Sequence, residues 1–233
     1  MPNNNFQTLL KFFLDEFEME LLFDQRKPQN IQEGILITIF NRINDIHTII
    51  ERLGRYDVYF DAFYPENDSQ ISDAEAIEYH LHSYLQDFYS LNEKVNRLLG
   101  YIKNNIKHFD VGNPDVVKKL LEHLLNQVGN GLKQVNNLRG DHVHDMSVRD
   151  SEISRAKMLK TLMGFHEGID EQAVKEKYQT IIVETKKKYV GQAEANREQL
   201  NGMRNFIAPR LGHVIAFLYQ KDSSIFEKEM SQN

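Results

Sequence analysis

The sequence predicts an all-α protein, a bundle of long antiparallel helices with a C-terminal helical arm. Two observations carry this. Apolar residues recur at intervals of three and four over most of the chain, and helix-start signals of the capping-box type precede two of the longest apolar stripes. A third is negative: only Ile35 to Phe40 would pass for a strand, and the same period continues beyond it for more than two turns.

Residues 5–26 place Phe6, Leu9, Leu10, Phe13, Phe17, Leu21 and Leu22 on one helical face, and Pro28 ends the pattern. Asn30 with Glu33 opens a second helix, whose stripe of Leu36, Phe40, Ile43, Ile46, Ile50 and Leu53 runs to Gly54. Residues 55–71, aromatic and acidic with Pro65, follow neither period and read as an ordered loop. Ser72 and Glu75 open a third helix, carried by Ile77, Leu81, Tyr84, Phe88, Leu91, Val95, Leu98 and Ile102 to about Phe109. Asn113-Pro114 starts a fourth, lined by Val117, Leu121, Leu124, Val128, Leu132, Val135 and Leu138, with Gly140 as its stop.

After the polar stretch 139–150, Ser151 to about Met163 forms a shorter helix closed by Gly164. From Ile169 to about Gln220 the pattern is helical again, interrupted by Gly191 and Gly202 and expected to kink at Pro209. The end from Lys221 reads as frayed. Residues 1–165 are therefore expected to form the bundle. Residues 166–233 are expected to be an extension that packs on it or on a second subunit.

With 233 residues the chain can bury a real core, and with no cysteine it has no disulfide, thiolate nucleophile or Cys-based zinc site. Its N-terminus, Met1-Pro2-Asn3-Asn4-Asn5, lacks the basic flank and apolar stretch of a signal peptide. No later run approaches the ~18 to 20 apolar residues that span a bilayer. The expectation is a cytoplasmic protein without a membrane partner. A net charge of −6 argues against coating nucleic acid through bulk positive charge, and DNA is not expected as a ligand. Lys118 with Lys119, Lys133 with Arg139, and Lys186 to Lys188 are local basic patches, of the kind that more often form solvated helix faces.

The most concentrated chemistry lies directly after the fourth helix, in Arg139-Gly140-Asp141-His142-Val143-His144-Asp145. A histidine titrates near neutrality and can pass a proton, and an arginine fork can hold a phosphate and stabilise developing charge on it. Those two roles suffice to cleave RNA without a metal. The same residues also suit a polar turn whose side chains cap helix ends.

The spacing Arg139-x4-His144, after the second of two long amphipathic helices and before another helix, resembles the Arg-x(4 to 6)-His motif of the HEPN superfamily. Those proteins are small all-α bundles, many of them metal-independent endoribonucleases. The resemblance covers about residues 30–165. It implies Arg139 and His144 as a catalytic pair, with Asp141 and His142 supporting it. It also implies a homodimer that brings two motifs to one composite cleft, and RNA as the ligand. The residue after the arginine is commonly polar in that family and is Gly140 here, so that either Asp141 takes its place or the site is inert. The competing expectation is a catalytically inert dimeric helical module that binds a protein partner.

A metal site is a further candidate, because His142, His144 and Asp145 resemble part of a metallohydrolase ligand run and Glu78, His80 and His82 lie on another helix. Against it, the run lacks its final Asp-His, and side chains two apart on a helix diverge. No metal and no cofactor is expected. His47, His108, His123, His166 and His213 each stand alone and read as structural. Arg204, Arg210 and His213 near Pro209 read as packing or surface residues.

Overall fold

The structure, a computed structural model, describes residues 5–23, 25–63, 70–131, 150–164 and 170–230. All regular elements among them are helical. The helices are α1 (Asn5–Glu16), α2 (Met19–Leu22), α3 (Ile31–Leu53), α4 (Tyr56–Ala62), α5 (Asp73–Asn105), α6 (Pro114–Gly131), α7 (Ser151–Leu162), α8 (Glu171–Leu218) and α9 (Ser224–Met230). A 3-10 turn, Ile106–His108, finishes α5.

Both expected caps form, and the one at α5 is a complete capping box. Ser72 Oγ accepts from the Glu75 amide at 3.3 Å while Glu75 Oε2 accepts from the Ser72 amide at 2.7 Å, so two otherwise orphaned amides are satisfied at the start of α5. At α3 the box is shifted by one residue on its return arm. Asn30 Oδ1 accepts from the Glu33 amide at 2.9 Å, but Glu33 Oε2 takes the amide of Gln29 at 2.7 Å. Arg26 then bridges Glu33 and Glu18, which fixes the approach of the chain to α3.

Three expectations need correction. The stretch 5–26 is two helices, because Glu18 is extended at φ −65 and ψ 126. The interval from Phe17 to Leu21 preserves the helical spacing across that break, so periodicity alone does not reveal it. The supposed loop 55–71 contains α4, in which Tyr56 and Phe60, one turn apart, are both buried. Of the end expected to fray from Lys221, residues 224–230 instead form α9, which buries Phe226 completely. Pro209 lies inside α8, which runs 48 residues without a break.

The chain divides into two compact units, each assembled from separated stretches. The first comprises residues 1–51, 90–133 and 199–233. Its core holds Leu9, Phe13, Ile39, Ile43, Leu91, Leu99, Leu121, Leu124, Leu211 and Ile215. Gly212 sits under the Phe226 ring so closely that a Cβ there would fall 2.4 Å from Cζ, and the same ring meets Phe12 edge-on at 5.1 Å. Tyr219 donates to the Gln32 carbonyl at 2.8 Å, and Gln32 in turn donates to the His108 carbonyl at 2.9 Å, tying α8, α3 and the end of α5 together.

The second unit comprises residues 52–89 and 134–198. Leu53, Tyr56, Phe60, Ile77, Leu81, Tyr84, Ile153, Leu159, Ile182 and Tyr189 are buried in it. Phe60 stacks on Tyr189 with centroids 5.3 Å apart, and Asn196 donates to the Tyr84 hydroxyl at 2.8 Å.

Candidate functional site

Arg139, Asp141, His142 and His144 lie outside the described residues. Lys133 and the expected stop at Gly140 fall there too. Asp150, the N-cap of α7, accepts from the amides of Glu152 at 2.8 Å and Ile153 at 3.1 Å through Oδ1. Its Oδ2 accepts from Lys188 Nζ and from the Tyr189 hydroxyl, each at 2.6 Å.

One buried carboxylate thus starts a helix and joins that helix to α8. Burial acts to raise the Asp150 pKa, but the hydrogen bonds from Lys188, Tyr189 and the Ile153 amide outweigh it and hold the group down at about 2. Tyr189 is pushed upward, first by its own burial and then by the adjacent carboxylate.

The histidine and carboxylate set on α5 does not converge as a metal site. Glu78 is paired with Lys157, His80 Nε2 lies 2.9 Å from the Phe63 carbonyl, and His82 is exposed. Among the described residues no group of three or more potential ligands comes together. Near Pro209, Arg210 donates to the Phe206 carbonyl at 2.9 Å and covers the Phe206 ring at 3.9 Å, as a packing residue does. Arg204 and His47 are partly buried in the first unit. Burial lowers the pKa of each; Glu51 acts to raise both, and Arg204 lowers that of His47 further.

A groove of about 450 Å³ that the sequence does not announce lies within the second unit. It is lined by Arg52, Tyr56, Tyr59, Phe63, Tyr79, His80, Ser83, Gln86 and Asp87. Asp87, 6% exposed, accepts from Arg52 Nε and Nη2 on its two oxygens, and Tyr56 donates to the same carboxylate at 2.9 Å. The guanidinium plane is therefore fixed by a two-point contact. The rings are arranged as a series: Tyr56 against Tyr59 at 5.2 Å, Tyr59 against Phe63 at 5.4 Å, and Tyr79 against His80 at 5.7 Å. Phe63 is 58% and Tyr79 69% exposed.

No described helix is long and apolar enough to cross a membrane. No family model, no curated protein and no solved structure matches the chain.

Proposed function

We propose that the chain is a HEPN-like, metal-independent endoribonuclease or RNA-binding protein of the cytoplasm. It would act as a homodimer whose two Arg139–His144 segments form one composite cleft. The observation that carries this reading is the Arg-x4-His spacing in a short polar stretch between two helices of an all-helical chain. In the proposed reaction the ribose 2′-hydroxyl attacks the adjacent phosphorus and gives up its proton. The 5′-oxygen leaves with a proton, and a 2′,3′-cyclic phosphate and a free 5′-hydroxyl remain. One copy of His144 passes these protons, Arg139 neutralises the phosphorane, and Asp141 and His142 orient the pair. Because Arg139 would contact phosphate, RNA affinity should fall with added salt.

Gly140 favours a second reading, in which the chain is an inert dimeric helical module that binds a protein partner. Cleavage of varied RNAs by the intact protein, with EDTA throughout, separates the two. Arg139→Ala and His144→Ala should each abolish cleavage while the dimer persists in sedimentation. A folded dimer that cleaves no RNA defeats the catalytic reading, and activity lost on adding EDTA defeats the metal-independent one.

A further inference from the structure

The groove of the second unit has a chemistry of its own, independent of the Arg139–His144 segment. A guanidinium carries five N–H groups in a planar fork. Asp87 takes the Nε and Nη2 side of the Arg52 fork. The end formed by Nη1 and the remaining Nη2 hydrogen makes no hydrogen bond to another described residue, and the side chain stays 47% exposed. This end presents two parallel donors at a fixed spacing, because the buried carboxylate prevents the plane from turning.

Several ligand classes fit poorly. A bare phosphate would meet a guanidinium whose charge is already compensated, between walls that are mostly aromatic. An aliphatic ligand would desolvate the donor fork without satisfying it. A flat ring with two adjacent acceptors on one edge meets both requirements. Guanine carries that pair in O6 and N7, whereas adenine presents a donor at N6 beside its N7 acceptor. The exposed ring of Tyr79, with Phe63 and Tyr59, supplies the face on which such a base stacks. A volume of about 450 Å³ is within the usual range for a small-molecule site.

We propose that this groove binds a guanine nucleotide, with the base against the aromatic wall at Tyr79 and its O6 and N7 accepting from the free end of Arg52. The test is a calorimetric titration of the intact chain with guanosine monophosphate, with adenosine monophosphate and inorganic phosphate as the other arms. Guanosine monophosphate should bind saturably, and the adenine nucleotide on the order of tenfold more weakly. Tyr79→Ala, at a position exposed enough to spare the fold, should weaken binding by about tenfold, and Tyr79→Phe should restore it.

Arg52→Lys should abolish the preference for guanine. If that variant fails to fold by circular dichroism, the two Tyr79 variants carry the test. The proposal is overturned by a folded protein that does not bind guanosine monophosphate, by equal affinity for both nucleotides, by binding that ignores Tyr79→Ala, or by full competition from inorganic phosphate. None of these outcomes depends on RNA cleavage, so the nucleotide groove and the ribonuclease reading stand or fall separately.

Discussion

Asp87 and Asp150 present the same chemical arrangement in two places within the second unit. Each is a buried aspartate that accepts from one cation and one tyrosine hydroxyl, Arg52 with Tyr56 in the first case and Lys188 with Tyr189 in the second. They differ in what else the carboxylate does. Asp150 also caps α7 and takes two backbone amides, so every part of it serves local structure. Asp87 lies in the middle of α5, where no backbone donor is free, and all of its hydrogen bonding goes to side chains that line a groove. The first carboxylate holds a joint in the chain, and the second orients a donor at a surface.

The largest effect should follow Asp87→Ala. It leaves the Tyr56 hydroxyl without its buried acceptor and strands Arg52. Breaking a buried pair costs about 3 to 5 kcal/mol, here reduced to roughly 2 to 4 because the Arg52 side chain is half exposed. Urea denaturation measures it, and a loss under 1 kcal/mol would show that the pair orients the guanidinium without supporting the fold. Asp150→Ala removes a cap together with two charge-assisted partners, for an expected loss of about 2 to 3 kcal/mol. If it proved no worse than an ordinary cap deletion of about 1 kcal/mol, Lys188 and Tyr189 would be contributing nothing.

Acid should act on the fold through Asp150. Asp150 has a folded pKa of about 2 against roughly 3.9 when unfolded. Because the folded value is the lower, its contribution is complete above the unfolded pKa and is lost as the pH falls from about 4 towards 2. Asp150→Asn should flatten the stability profile in that window, and an unchanged slope would remove the claim that this carboxylate is held ionised. The smallest effects are those of Tyr189→Phe and Tyr56→Phe, each about 1 kcal/mol for one hydrogen bond. A double-mutant cycle of Tyr189 with Asp150 should show coupling of about that size, and additivity would mean that the short contact is not energetically selective.

The helices of both units were legible because their faces are continuous. Ser72 with Glu75 marked the start of α5 to the residue, and Leu91, Val95, Leu98 and Ile102 traced its buried stripe. Where a helix is short, one or two apolar residues must carry the whole signal. In α4 Tyr56 and Phe60 are diluted by Asp57 and Asp61, and in α9 Phe226 stands between Ser224 and Glu227. The groove was not legible at all, since Arg52 and Asp87 are 35 positions apart and each looks like an ordinary surface charge on its own helix. Asp150 was not singled out in the sequence, where it is only the last residue of the polar stretch 139–150. Its role as the cap of α7 appears only in the structure, and nothing nearby in sequence points to Lys188 and Tyr189.

Gly212 and Phe226 bear on how the protein is made. The first unit draws on the N-terminal helices, the middle of the chain and residues 199–233, and the ring that fills the space above Gly212 comes from its last helix. A chain emerging from the ribosome at roughly 5 to 20 residues per second exposes α1 and α3 well before α9 exists. The second unit contains no residue beyond 198. The order of synthesis therefore permits the second unit to close first, while the apolar face of α1 waits, solvent-facing, for the arrival of Phe226.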